Sequence, residues 1–328
     1  MINTYHYNSI TWVDLEAPTM DEVAEVMKKY DLHPIVAEEL MSPSSKAKVE
    51  SFDNYVFAVL HFPVRIRPQR VFNKVQENPN HQLPHLLHGH HHRDFVEKKE
   101  IDFVIGKNFI ITTKYDSIEP LHNFSKIFET NSVIDKKGIG RHAGFVFYYM
   151  IKSLYNTYLG YLNDLETRLS NAETRIFNGD EKRMVQELSD ISHQLIDIRQ
   201  ITKGHHEVFG QLLTPLVRSF GHDFSHYISD LQSEHQKMSE VLSSSKDLLS
   251  ELRDTNDSVL SAKQNETMKI FTVLAFFTFP LSLILDIITL PTNHSLIIGH
   301  EYDFEIILVL IVGACAGMFW FFKHKKWL

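Results

Sequence analysis

Apolar positions follow three patterns along the chain, and each predicts a different kind of element. Over residues 1–140 the apolar runs are short and alternate with turn residues. Residues 9–15 (SITWVDL) alternate like a strand. Ala17-Pro18-Thr19 leads into 20–30, where Met20, Val23, Ala24 and Met27 fall at helical spacing. His33-Pro34 marks another helix start, with Ile35, Val36 and Leu40 as its apolar face. Residues 48–63 are rich in aromatic and β-branched side chains and predict a strand or hairpin. Residues 100–114 predict two strands joined by a Gly-Lys-Asn turn. The mixture predicts an α/β domain over 1–140.

Beyond it the pattern becomes helical. In 141–220, Tyr148, Tyr155, Tyr158, Leu162 and Leu165 form one apolar row and Met184, Leu188, Ile191, Leu195 and Ile198 another. Asn178-Gly179-Asp180 separates them, so two antiparallel helices are expected. His205-His206 is expected as a surface pair at a helix end, with metal binding as the competing reading. No Pro or Gly occurs between Gly221 and Pro280, which predicts one helix of roughly 90 Å. Its first part, 221–264, is a stalk with heptad rows at Leu231, Met238, Leu252 and Val259, and at Val241 and Leu248.

Residues 265–290 form the third pattern. From Ile270 the run holds Asp286 as its only charged side chain and is long enough to cross a bilayer. A loop at 291–304 separates it from a second apolar run over 305–322, and a basic tail occupies 323–328. Lys263 and Lys269 precede the first span, Lys323, Lys325 and Lys326 follow the second, and the loop has acidic residues without Lys or Arg. The positive-inside rule then puts both termini in the cytoplasm and the loop outside, in a plasma (inner) membrane. Trp320 and Trp327 fall where an aromatic belt is expected. The first ten residues are polar and lack a signal-peptide pattern, so the first span is expected to direct its own insertion.

A polar stripe runs through stalk and span. Asp254, Asp257, Ser261, Asn265, Met268, Thr272, Ala275, Phe279, Ser282 and Asp286 follow at intervals of three or four, and Thr289 continues them. Such residues share one face of a slightly supercoiled helix. Intramembrane carboxylates usually face a bundle interior or a water-filled path, so the stripe points to a cation pathway. The bland alternative is that Asp286 snorkels to the outer surface. Two spans cannot enclose a pore, so a cation pathway requires several copies around one axis.

Composition narrows the function. Of 328 residues, 33 are Lys or Arg and 41 Asp or Glu, a net charge of -8 with no basic face for nucleic acid. The single cysteine, Cys315, lies in the second span, which excludes a disulfide framework and a cysteine zinc site. The chain has no phosphate loop, nucleophile elbow or HExxH, so no enzyme and no covalent cofactor are expected. Residues 68–94 interrupt the α/β pattern with His81, His85, His88, His90, His91 and His92. Such a tract binds Zn²⁺, Ni²⁺ or Co²⁺ when neutral, or is simply a solvated loop.

Trp12-Val13-Asp14, His33-Pro34 with Glu38-Glu39, KAKVE at 46–50, DFVIGKNFIITT at 102–113, Asn265-Glu266-Thr267-Met268-Lys269, Pro280 and the basic tail resemble the CorA family of divalent-cation transporters over nearly the whole chain. The resemblance implies a funnel-shaped homopentamer in a lipid bilayer, with first spans lining the pore and second spans around them. It implies that Asn265 and Met268 line the inner gate. It places Asp230 and Asp254 at acidic stalk positions linked to regulatory cations, with Asp257 adding to the same repulsion. Where the family ends its first span on Gly-Met-Asn, this chain has Thr289-Leu290-Pro291. The expected function is a pentameric channel for Mg²⁺ or a transition metal; the alternative is a membrane-anchored metal sensor or scaffold with this fold.

Overall fold

The computed structural model describes residues 1–7, 9–66, 95–129, 142–289 and 302–324. The histidine tract, most of the 291–304 loop and residues 325–328 of the basic tail lie outside them. The chain divides into two units, 1–175 with 183–253, and 176–182 with 254–328.

The first unit holds a six-stranded sheet in the order β1-β2-β6-β5-β4-β3. Its strands are β1 (Ile2–Tyr7), β2 (Ile10–Glu16), β3 (Lys48–Ser51), β4 (Tyr55–Ile66), β5 (Phe95–Gly106) and β6 (Phe109–Lys114). All neighbours pair antiparallel except β2 and β6. The expected hairpins are β3–β4 and β5–β6. The second needs Gly106, because a Cβ there would lie 2.2 Å from the Phe109 ring.

Alternation sends the strands' side chains to two faces. One carries Val13, Leu15, Phe57, Val59, Val104 and Ile111 and is covered by α1 (Met20–Tyr30) and α2 (Pro34–Glu39), which contribute Val23, Val26 and Val36. Thr19 and Glu22 close a capping box on α1. His33 caps α2, its Nδ1 accepting from the Ile35 amide at 3.2 Å.

The other face carries Trp12, Phe62 and Phe103. It meets Phe124 and Phe128 of α3 (Glu119–Glu129) and Phe147 and Tyr158 of α4 (Ala143–Arg175). Trp-Val-Asp now has a physical reason: Trp12 donates to Thr112 Oγ1 at 2.9 Å, Thr112 donates to Asp14 at 2.8 Å, and Asp14 pairs with buried Lys114. The network satisfies four buried polar side chains.

α4 turns back at Gly179, where φ is 100°, into α5 (Glu181–Thr202). Arg175–Glu187 at 2.6 Å and the Tyr161–Gln194 bond show the antiparallel pairing. The helical region is not a simple hairpin, because a further helix, α6 (His205–Phe220), follows. The long helix α7 (Phe224–Thr289) then continues through Pro280. Its buried seam is Ile228, Leu231, His235, Met238, Leu242, Ser245, Leu249, Leu252 and Asn256. The expected row Val241–Leu248 is only partly covered, and Leu242–Leu249 beside it is buried instead. In the second unit Glu181 holds Lys263 of α7 at 2.9 Å, and α8 (Asp303–His324) closes the described chain.

Candidate cation path and acidic stalk

α7 and α8 are both long and apolar enough to cross a membrane, with mean hydropathy of 2.1 and 2.3 over their most apolar windows. Phe277 of α7 lies 5.3 Å from Phe322 of α8, and Phe276 6.3 Å. Val273, Phe277, Pro280, Leu281 and Ile284 are partly covered and, at about 100° per residue, form the α7 face turned to α8. Asn265, Met268, Thr272, Phe279, Ser282 and Asp286 are exposed and fall on the other side. Ala275 shares that side but is partly covered, and the Thr289 side chain lies outside the described set. The stripe is therefore turned away from the chain's own second apolar helix. Thr272 donates to the Met268 carbonyl at 2.8 Å, which satisfies its hydrogen within the helix and leaves the hydroxyl oxygen outward as an acceptor.

The acidic stalk residues have unlike surroundings. Asp254 and Asp257 are exposed. Asp230 already has a cation, accepting from Lys152 Nζ at 2.7 Å and from the Tyr148 hydroxyl at 2.6 Å. Burial opposes its charge, but the Lys152 and Tyr148 hydrogen bonds and the Lys152 charge hold the carboxyl below its usual range. Asp230 belongs to the first unit, Asp254 and Asp257 to the second. Among the described residues no three His, Cys, Asp or Glu side chains gather to hold a metal ion.

His205 corrects the expectation of a surface pair. It is 1% exposed, its Nε2 lies 2.7 Å from the His61 carbonyl, and its Nδ1 meets the Tyr155 hydroxyl at 2.5 Å. Burial lowers its pKa to about 3, so the ring is neutral and both nitrogens are used within the core. His206 is exposed as expected. The Lys152 partnership had no local sequence signal, because Lys152 and Asp230 stand 78 residues apart on different helices. A second cluster, around Glu100 and Asp102, was signalled: both acids occupy the inward phase of β5 with Val104.

An α/β domain, a long helix whose far end is apolar and a second apolar helix define the class, a protein with two candidate membrane spans. The family model of the CorA-like Mg²⁺ transporter protein matches residues 7–324, and the chain belongs to that family. It is 23% identical over 322 residues to the cobalt/magnesium transport protein CorA of Thermotoga maritima, covering 97% of this chain and 83% of the relative. It is 22% identical over 316 residues to the putative metal ion transporter YfjQ of Bacillus subtilis, covering 96% and 89%. Among solved structures, the CorA magnesium transporter from Methanocaldococcus jannaschii superposes with a TM-score of 0.74 at 15% identity, covering 99% of this chain and 93% of that one.

Proposed function

We propose that copies of this chain form a homopentamer in the plasma (inner) membrane whose α7 helices line an axial path for divalent cations, Mg²⁺ or a transition metal such as Zn²⁺, Ni²⁺ or Co²⁺. The observation that carries this reading is the outward polar stripe. Asn265, Met268, Thr272, Ser282 and Asp286 lie on the α7 side that α8 leaves uncovered, so neighbouring copies can gather them around an axis. Family membership supplies the transported class. Permeation uses hydrated ions, since Mg²⁺ parts from its waters reluctantly and side-chain oxygens coordinate through them. Cytoplasmic cations act as regulators: at Asp254 and Asp257 they offset repulsion between repeated carboxylates, and at Asp230 they compete with Lys152.

Thr289-Leu290-Pro291 in place of Gly-Met-Asn favours looser ion selection and keeps a second reading in play, a metal sensor that retains the fold. Flux into liposomes holding the purified protein, measured with Mg²⁺, Zn²⁺, Ni²⁺ and Co²⁺, separates the two. Transport of at least one ion is expected, from a particle whose mass in detergent is that of five chains. A stable monomer or dimer, or no flux of any of the four, overturns the channel reading. Protease sensitivity of the stalk that is indifferent to Mg²⁺ and to chelator removes the regulatory part.

A further inference from the structure

Glu100 and Asp102 sit two residues apart on β5 and project from the same face of the sheet. Both are buried, at 7% and 1% exposed. Their carboxyl groups lie within hydrogen-bonding reach of each other. Glu100 Oε1 accepts from the Ser44 amide at 2.8 Å, and Oε2 lies 2.9 Å from His61 Nε2. Asp102 Oδ2 accepts from the Tyr115 hydroxyl at 3.2 Å. Among the described residues nothing donates to Asp102 Oδ1. The buried hydroxyl of Thr113, which pairs with Asp102 across β6, is likewise without a partner.

Two ionised carboxylates in this contact repel each other and leave the buried Oδ1 without a donor. One proton between them removes a charge and supplies the missing donor. The nearby lysines are engaged elsewhere, Lys98 by the Ser45 carbonyl at 3.0 Å. Glu39 of α2 adds a further negative charge, and its carboxylate is bound by Lys48 of β3 and the Ser44 hydroxyl, each at 2.7 Å. Lys48 is divided between Glu39 and Glu50. Lys99 is taken by Glu97 and Asp116 at 2.7 and 2.6 Å. His61 Nε2 is shared between Glu100 and the Ser44 carbonyl, 3.1 Å away. Tyr115 stays protonated, because burial and then the charges of Asp102 and Glu100 push its pKa up. Burial first, and the Glu100 charge second, hold Asp102 well above the usual carboxyl range. A cavity of about 220 Å³ lined by Ser44, His61, Lys98, Glu100 and Tyr115 adjoins the Glu100 side of the pair and gives protons access.

We propose that Asp102 keeps a proton that it donates to Glu100, and that this proton latches the α2–β3 connection to the sheet. The groups around the proton are those that hold the connection. Glu100 and His61 grip the backbone N–H and C=O of Ser44, and the one Tyr115 hydroxyl hydrogen is shared between Asp102 and the Glu39 carbonyl, 3.0 Å away. The acid's affinity for its proton is higher in the fold than in the unfolded chain. Its stabilisation is therefore complete below the unfolded carboxyl range and is lost as pH rises through the folded value. Alkaline conditions leave two like charges under Ser44 and Tyr115, and the latch loosens.

The test uses the full-length protein in detergent or in bilayers. Infrared spectra at neutral pH are expected to contain a protonated carboxylic C=O absorption that bleaches as pH rises. Asp102→Asn and Glu100→Gln should each remove it, because the amide supplies the hydrogen that the proton supplied. Across a pH series the parent's melting temperature falls on the alkaline side, and both variants lose that fall. The proposal is overturned if neither variant removes an absorption present in the parent, or if both keep the parent's pH slope. Should Asp102→Asn not fold, Glu100→Gln and the parent spectrum decide between these outcomes.

Discussion

Asp286 is the residue on which the transport reading depends most. It is the only charged side chain from Ile270 to the end of α7, and it lies on the uncovered face with Ser282. Repeated around an axis, such carboxylates concentrate divalent cations at the outer entrance where the family's asparagine is missing. Fields of this kind raise local ion concentration by about tenfold or more. Asp286→Asn keeps size and hydrogen bonding, so divalent flux in liposomes should drop by about tenfold or more while particle mass is unchanged. Parent-like flux would place Asp286 against the headgroups or the second span. At this scale the sequence exposes residues whose cost is evident in one dimension, such as a carboxylate within an apolar run. It hides those defined by a distant partner. Asp230 was marked by the family resemblance, but Lys152, which occupies it, comes from α4, 78 residues earlier.

The stalk seam shows how an element can be legible while its register is not. Val241 and Leu248 lie one residue from Leu242 and Leu249, and both rows are apolar. The intervals of three and four that continue from Ile228 and Leu231 select the second row. Part of that pattern is carried by His235, Ser245 and Asn256, which hydropathy alone does not mark as inward. Leu249→Ala is expected to cost about 2–5 kcal/mol, as for other buried leucines. Leu248→Ala, at a partly covered position, should cost about 1 kcal/mol or less. Melting of the two variants side by side decides the register, and equal losses would restore the expected row. β1 and α3 were not foreseen. β1 is an edge strand in which adjacent Asn3 and Thr4 break the alternation, and α3 carries Pro120 in its first turn, which reads as a breaker until the helix start is known.

For the molecule as a whole, two histidines packed into the fold, His205 buried and His142 half-buried, are expected to set the acid limit of stability. Burial lowers the pKa of His205 to about 3 and that of His142, packed between the Phe145 and Phe220 rings, to about 4. Both are lowered in the fold, so their contribution is present above the unfolded value, about 6.5, and is lost as pH falls toward the folded ones. Melting temperature should fall between about pH 6 and about pH 4, and His205→Gln, neutral throughout, should flatten part of that fall. A parent slope retained in the variant would assign the acid loss elsewhere. The fold class and the two apolar helices were readable at this scale because an α/β alternation, a long run without breakers and two apolar stretches are each local patterns. The order of strands in the sheet was not, since β2 meets β6 across about a hundred residues of chain.

The placement of the seam also orders the protein's birth. Ile228 to Leu252 complete the packing of the first unit, yet they are translated after everything else in it and immediately before the first apolar segment. A nascent chain that has reached Phe220 still lacks the helix that covers Tyr148 and Tyr155 of α4. The domain therefore cannot close early and wait for the membrane. Its closure and the capture of the apolar segment by the insertion machinery fall within the same short interval of synthesis, and a chaperone that shields the open α4 face has its longest opportunity just before then.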